Sequence, residues 1–194
     1  MYMKNMPSMM VDQFRMAEMI IINRCTLQTN KNAIRGSIKA VNPRAQIVYE
    51  SEDDAFYEMK DEMPFDINAD IIDISEDDFG IWYIDMQEHP ERYKGKVVEF
   101  VAKVMKPKAF PSKVFYPGRM AMTCCADDIQ FIGYLCHTNH AKSSTIKSLK
   151  NKMWVTLTAE VKVEYNEEYQ DKGPVLYAKR IEAAEPPEEE LVYF

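Results

Sequence analysis

The chain has 194 residues, of which 46% are hydrophobic, so it can form one full domain and a smaller unit without metal or disulfide support. Its formal net charge of -7 repels phosphate backbones, and no basic patch offsets that charge, which excludes general nucleic-acid binding. No window reaches the roughly 18 to 20 apolar residues that a membrane span requires, so direct membrane insertion is not expected.

The first 50 residues alternate between helical and strand patterns. Pro7 opens an apolar spacing typical of a helix, and the run Met19–Ile22 is typical of a strand buried on both faces. Asn30 can cap a second helix that ends at Asn42, and a strand over residues 46–49 follows. This order predicts the trailing edge of an α/β sheet.

An acidic segment separates these residues from the remainder of the chain. Residues 51–70 are typical of an exposed linker, which places a domain boundary there. Residues 71–74 resemble a short strand, and Ser75 with Asp78 resembles a capping box before a helix that ends near His89. We assign residues 71–185 to a second domain and residues 186–194 to a C-terminal tail.

After Lys94 the apolar pattern changes to a period of two residues, which is typical of strands. A first strand around residues 98–104, Gly173-Pro174 as a turn, and a short helix over residues 143–149 complete the pattern. The order of three strands, a helix and two strands is that of an OB barrel. The predicted fold class is α+β, with a partial α/β nucleotide-domain remnant followed by a five-stranded OB-like β-barrel. The remaining strands are expected over residues 119–125, 129–135, 153–164 and 175–181.

Three stretches in the first domain carry a family resemblance, namely Asn5-Met6-Pro7-Ser8, Asn23-Arg24-Cys25-Thr26 and Ala40-Val41-Asn42-Pro43-Arg44-Ala45. They resemble the last third of the nucleotide domain of CobW-type GTPases, a family implicated in metal insertion and metal homeostasis. The resemblance implies that Asn23 and Arg24 belong to a degenerate guanine-recognition motif in which Thr26 replaces the usual carboxylate. The six glycines are isolated and form no phosphate-binding loop, so GTP is not expected for this chain alone.

A second resemblance covers most of the other half, through Asp78-Phe79-Gly80-Ile81-Trp82, Tyr93-Lys94-Gly95-Lys96, the run from Arg119 to Asp128, and Val192-Tyr193. These stretches are similar to the C-terminal domain of YcgQ-type membrane proteins, whose family lies beside a predicted permease. The resemblance implies the C-terminal portion of a fusion between that domain and a CobW-type GTPase. A GTPase domain or a permease protein is the partner that it implies.

Thiols and imidazoles cluster in the sequence of the second domain. The candidate metal ligands are Cys124, Cys125, Cys136, His137 and His140, and this donor set suits zinc or a similar ion. Successive side chains of a strand point to opposite faces, so at least one of the paired cysteines can instead be structural. Arg119 is a candidate for holding an anion, with an exposed or ion-paired role as the alternative.

These patterns predict a non-catalytic, ligand- or metal-binding accessory module of a metal-homeostasis GTPase or permease system. The alternative is the C-terminal part of a GTP-hydrolysing metallochaperone whose phosphate-binding half is missing from this chain. A third reading is an oligomerisation module, because the α/β remnant exposes a sheet edge that favours a homo-oligomer. The four cysteines lack disulfide-like spacing, which fits a cytoplasmic location.

Overall fold

The computed structural model describes residues 7–26, 28–42, 44–51, 63–107, 111, 113–122, 129–138, 149–166 and 170–193. The chain divides into an N-terminal unit, which is Met1–Glu62 with Ala121–Gln130 and Tyr193–Phe194, and a second unit, which is Met63–Met120 with Phe131–Val192. Within the described residues, no helix has the length and apolar character needed to cross a membrane.

The N-terminal unit contains two helices and a two-stranded parallel sheet. Its elements are α1 (Pro7–Arg15), β1 (Met19–Cys25), α2 (Lys31–Val41) and β2 (Gln46–Ser51). The side chain of Asn30 accepts a hydrogen bond of 3.0 Å from the backbone N–H of Ala33, which satisfies one free donor at the start of α2. The element order agrees with the predicted helix, strand, helix and strand. The assignment to a nucleotide domain stays a prediction.

The prediction that β1 is buried on both faces is wrong. Ile20 is 7% exposed and packs with Ile38 and Ala45, whereas Met19 and Ile21 are 52% and 60% exposed. The apolar side chains of both helices join the core on the Ile20 face, and the described residues bring no second layer to the other face. A continuous apolar run therefore does not establish burial on two sides.

The second unit is a strand-rich assembly that begins with a short strand and two helices. In it, β4 pairs with β8, β8 with β9, β9 with β7, β7 with β5, and β5 with β4, so the sheet closes into a ring. Only the β7–β9 pair within this ring is parallel. The elements are β3 (Ile72–Asp73), α3 (Phe79–Glu88), α4 (Pro90–Tyr93), β4 (Val97–Met105), β5 (Val114–Met122), β6 (Gln130–Gly133), β7 (Cys136–His137), β8 (Trp154–Asn166), β9 (Asp171–Ala183) and β10 (Leu191–Tyr193).

The interior of the ring is built by strict alternation of apolar side chains. Val98, Phe100, Ala102 and Val104 of β4 are at most 2% exposed, while the residues between them are partly exposed. The same alternation fills the ring from β8, as its two-residue period predicted. Each Val, Leu or Phe side chain gains roughly 1.5–3 kcal/mol on leaving water, which makes this interior the main source of stability. The β8 residues of this alternating set are Val155, Leu157, Ala159 and Val161, and Trp154 and Thr158 at intervening positions are buried as well.

Helix α3 packs its aromatic side chains into the apolar interior. Trp82 is 0% exposed, and its ring centre lies 4.7 Å from Phe100, 5.4 Å from Phe79 and 5.7 Å from Tyr134. Such tilted and edge-on pairs add about 0.5–1.5 kcal/mol each to the burial of the rings. Trp82 therefore fastens α3 to the strands of the ring.

A buried carboxylate joins α3 to α4. Asp85, which is 0% exposed, accepts hydrogen bonds from the Arg92 guanidinium at 2.8 and 3.1 Å and from the Tyr93 hydroxyl at 2.7 Å. Before α3, the Ser75 hydroxyl donates to the Asp78 carboxylate at 2.6 Å and accepts from the Asp78 backbone N–H at 3.2 Å. These bonds fix both ends of the helical segment.

Strands β5 and β6 approach each other closely where two glycines face the opposite backbone. A Cβ atom on Gly118 would lie 2.0 Å from the carbonyl oxygen of Ile132, and one on Gly133 would lie 2.5 Å from that of Pro117. Both separations are far below an ordinary contact, so only glycine permits this approach without a shift of backbone.

Two predicted strand boundaries are wrong. The second strand was expected over residues 119–125, but β5 begins at Val114 and runs through Pro117. Gly173 and Pro174 were expected to form a turn, yet both lie inside β9 and pair with β8. On the β9 side, the described residues of β7 pair only with Leu176 and Tyr177, so the missing N–H of Pro174 removes no bond there.

The predicted linker and helix are only partly within the described residues. Residues 52–62 and the helix expected over residues 143–149 lie outside them, apart from Leu149. The described end of the linker, residues 63–70, is not simply exposed, because Phe65 is 9% exposed and the Lys96 ammonium donates to the Ile67 carbonyl at 2.7 Å.

Candidate functional site

Strand β7 places two of the predicted metal ligands on opposite faces. Cys136 is 0% exposed inside the ring, and its thiol lies 3.8 Å from the carbonyl oxygen of His137. Burial raises the pKa of the Cys136 thiol far above its usual range, because the apolar interior cannot solvate a thiolate. His137 is half-buried on the outer face. The structure therefore does not bring these two residues together as ligands of one ion.

The outer face beside β7 carries a compact polar and aromatic group, which we term the His137 platform and define as His137, Tyr177, Lys162 and Glu164. The imidazole of His137 stacks on the Tyr177 ring with centroids 5.1 Å apart and planes 24° apart. The Lys162 ammonium lies 4.1 Å from the centre of the same ring. The Tyr177 hydroxyl donates to the two Glu164 carboxylate oxygens at 3.0 and 3.1 Å.

Strand pairing explains why these side chains meet. His137 is opposite Tyr177 in the parallel β7–β9 pair, and Lys162 and Glu164 project from the adjoining strand β8. Residues with the same parity share a face, so one outer surface receives all four. Burial raises the pKa of Tyr177, and the hydrogen bond to Glu164 and the negative charge of that carboxylate raise it further.

The imidazole of His137 is the central group of the His137 platform. Neither of its ring nitrogens has a hydrogen-bond partner among the residues that the structure describes. The stack on Tyr177 limits rotation of the ring, so its orientation does not depend on a hydrogen bond. Such an imidazole can accept a proton or coordinate a borderline metal ion.

The other predicted metal ligands, Cys124, Cys125 and His140, lie outside the described residues. Within the described ranges, no three His, Cys, Asp or Glu side chains form a group that could hold a metal ion. The predicted zinc site therefore stays a prediction, with His137 as its accessible described member.

Asn23 and Arg24, which the sequence predicts to be a guanine motif, lie at the carboxyl end of β1. Asn23 and Arg24 are both exposed, and Arg24 has a left-handed φ of 56°. The pairing with β2 becomes irregular between Ile22 and Cys25. The carboxyl end of a parallel strand is where α/β sheets bind ligands, so the position of the motif is compatible with its predicted role.

Arg119 is neither exposed nor ion-paired in the manner expected. It is 1% exposed, and its guanidinium donates to the backbone carbonyls of Glu76, at 2.9 Å, and of Glu189. Desolvation lowers the pKa of Arg119, while the charges of Glu76, Asp77, Glu189 and Glu190 oppose that shift. The signal was present in the sequence, because Arg119 has the same parity as the buried residues Phe115 and Ala121.

Residues 49–194 match the family model of the DUF1980 C-terminal domain. None of the curated proteins matches the chain. These comparisons give no support to the predicted CobW-type GTPase fusion.

Two solved structures are similar at low identity. The first, "OBody NL8 bound to hen egg-white lysozyme", is 10% identical with a TM-score of 0.32 and covers 48% of this chain and 100% of that chain. The second, "putative aspartyl-tRNA synthetase from Leishmania major Friedlin", is 12% identical with a TM-score of 0.33 and covers 66% of this chain and 23% of that chain. The chain thus spans about a quarter of the synthetase's length. At these TM-scores neither likeness establishes a shared fold.

Proposed function

This chain belongs to the DUF1980 C-terminal domain family, and we propose that it is a non-catalytic, ligand-binding accessory module whose ring of strands is an OB-type barrel. Its ligand is a metal ion, with zinc as the ion that the thiol and imidazole donors suit. Its partner is a GTPase domain or a permease of a metal-homeostasis system.

The closed ring supports the OB assignment. Five strands, β4, β5, β7, β8 and β9, complete the ring, and one parallel pair joins two of them. A five-stranded barrel in which the connections cross is the arrangement of the OB fold. The His137 platform lies on the outer face of β7, β8 and β9.

The observation that carries the proposed function is the imidazole of His137, which Tyr177 holds by stacking and which forms no hydrogen bond with any described residue. A metal ligand must offer a free nitrogen in a fixed direction, and this side chain offers both features. Cys136 is removed from the predicted ligand set because its thiol is buried on the other face. The proposed set is His137 with Cys124, Cys125 and His140.

Elemental analysis of chain purified without chelators tests this proposal. We expect about one zinc per chain in the wild type, a clear loss in His137→Ala, and a similar loss in Cys124→Ser/Cys125→Ser. Cys136→Ala is the matched control and should retain the metal. A wild-type chain that holds no zinc or copper after reconstitution would refute the metal proposal, as would loss of metal in the control alone.

The alternative function, the C-terminal part of a GTP-hydrolysing metallochaperone, is favoured by one observation. Asn23 and Arg24 lie where a parallel strand ends, which is the edge that binds nucleotides in α/β sheets. A phosphate-binding loop encoded in frame upstream of Met1 would favour this alternative. Binding of a fluorescent GTP analogue that weakens in Asn23→Ala would support the motif, and equal binding by both chains would exclude it.

A further inference from the structure

The C-terminal segment of residues 185–193, which covers most of the predicted C-terminal tail, is bound to the ring of strands; we call it the tail segment. It leaves β9 where the Ala184 N–H donates to the Trp154 carbonyl at 3.1 Å. Pro187 is buried, and Val192 is only 6% exposed. Strand β10 then pairs with β5 as an added strand.

Arg119 supplies the central contact of the tail segment. Its guanidinium, stacked over the Phe79 ring at 5.7 Å, donates to the Glu189 carbonyl oxygen. Its Nε has no partner among the described residues, so this cation is not fully satisfied. A buried cation with backbone partners attracts nearby negative charge, and the tail segment carries Glu189 and Glu190 beside it.

A second cation recognises the tail segment at the surface of the ring. The Lys103 ammonium forms an ion pair of 3.1 Å with the Glu190 carboxylate and lies 5.2 Å from the centre of the Trp154 ring. The Lys103 side chain is 26% exposed, so the Trp154 ring restricts its position. The ring surface is thus complementary in charge to the acidic tail segment.

The groups that recognise the tail segment, Arg119, Lys103 and the edge of β5, belong to the ring and not to the link that joins the tail segment to β9. Arg119 donates a hydrogen bond to a backbone carbonyl, and Lys103 forms an ion pair with a carboxylate. Strand β5 pairs with the extended backbone that carries the apolar Val192. The covalent connection contributes only a high local concentration of the tail segment. Any extended acidic segment of the same pattern that is presented nearby meets the same groups.

We propose that the edge of β5 with Arg119 and Lys103 is an exchangeable strand-binding site, and that its second occupant is the tail segment of another copy of this chain. A second copy of the chain carries the same tail segment, which therefore matches the site. If each of two chains places its tail segment in the site of the other, the two chains form a two-fold dimer. Pro186 and Pro187 favour an extended connection, so the segment can project toward a neighbouring molecule. This site is separate from the His137 platform and does not depend on metal binding.

A full-length chain with a weakened tail segment tests the proposal. Val192→Asp with Glu190→Lys removes the apolar anchor and reverses the charge at Lys103, while every ring residue is kept. A fluorescent synthetic peptide of residues 185–194 should bind this variant at least about tenfold more tightly than the wild type, whose own segment competes. The same peptide carrying Val192→Asp is the control and should bind neither chain.

Wild-type chain alone tests the second copy, because reciprocal exchange needs an intact tail segment on both molecules. Light scattering should show a dimer in concentrated wild type, excess free peptide should dissociate it, and the double variant should stay monomeric, which separates this dimer from association through any other surface. Absence of peptide binding to the folded variant, or a wild-type dimer that the peptide does not dissociate, would overturn the proposal. Peptide binding to the variant without any wild-type dimer would overturn its second-copy part.

Glu190→Lys alone keeps the proposal testable if the double variant does not fold, because that side chain is 54% exposed. Loss of one exposed ion pair changes affinities by about two- to fivefold. The peptide should therefore bind Glu190→Lys about two- to fivefold more tightly than wild type, and Lys103→Ala should bind it less tightly than Glu190→Lys. Identical affinities across the three chains would overturn the assigned site.

Discussion

Replacement of Gly118 by alanine tests the close approach of β5 and β6. The new Cβ atom would lie 2.0 Å from the Ile132 carbonyl oxygen, about 1.4 Å nearer than the lower limit of an ordinary contact, 3.4 Å. The opposing atom belongs to backbone and cannot rotate away, so β6 must move. Overpacking of this kind costs about 1–3 kcal/mol, and we expect Gly118→Ala to lower the free energy of unfolding by about 3 kcal/mol.

The two other strand glycines provide a graded comparison. Gly133→Ala meets the Pro117 carbonyl oxygen at 2.5 Å and should cost less, about 1–2 kcal/mol. Gly173→Ala meets nothing within 4 Å and should stabilise the chain by about 0.4–1 kcal/mol through the unfolded state. Urea unfolding followed by tryptophan fluorescence measures all three, because Trp82 and Trp154 are both buried.

The order of the three variants decides the outcome. If Gly118→Ala unfolds within about 0.5 kcal/mol of the wild type, the two strands do not approach as described. A larger loss for Gly173→Ala than for Gly118→Ala would contradict the reasoning in the same way. Because β6 leads directly into β7, a shift in β6 should also weaken any ligand binding that requires His137.

Three further predictions concern buried or paired groups. Cys136 should resist iodoacetamide at pH 8 until the chain unfolds, because burial raises the pKa of its thiol; rapid labelling in peptide mass spectra would contradict this. The pKa of Glu99 is lowered by the Thr158 hydroxyl and, after an opposing effect of burial, by Arg180. The stability that Glu99 contributes over Glu99→Gln, at most about 1 kcal/mol, should be complete above its ordinary pKa of 4.5 and disappear as pH falls through the lower folded value. An equal difference in urea unfolding at pH 7 and pH 3 would count against it. Asp85→Ala should cost about 3 kcal/mol, since it leaves Arg92 without its carboxylate, and an unchanged melting temperature would disprove the buried pair.

The sequence predicts the strands of the ring well where packing is one-sided. In β4 and β8 the interior side chains are apolar at every second position, and most intervening positions of β8 are polar, so the two-residue period identifies both strands and their faces. Helix α2 was equally well predicted from the sequence, because Asn30 caps it as its position indicated. Local patterns are sufficient when one residue's environment depends on its near neighbours.

Other features depend on pairing between distant residues and could not be read from local patterns. Proline is tolerated inside β9 because β7 is too short to pair with Pro174, a fact that only the sheet order reveals. Exposure of Ile21 depends on the absence of a second helical layer among the described residues. The separation of Cys136 from His137 was predictable, since strand alternation applies to them as it does to Cys124 and Cys125.

The closed ring also limits how this chain can fold. Strand β4 pairs Val97 with Glu160, and the parallel pair joins Cys136 to Leu176, so each contact requires a long intervening loop to close first. Barriers of this kind rise with the sequence separation of native contacts, and such chains fold in milliseconds to seconds. During synthesis the interior cannot be sealed until β9 has emerged from the ribosome. Until then the apolar face of β4 lies open to solvent and to other nascent chains.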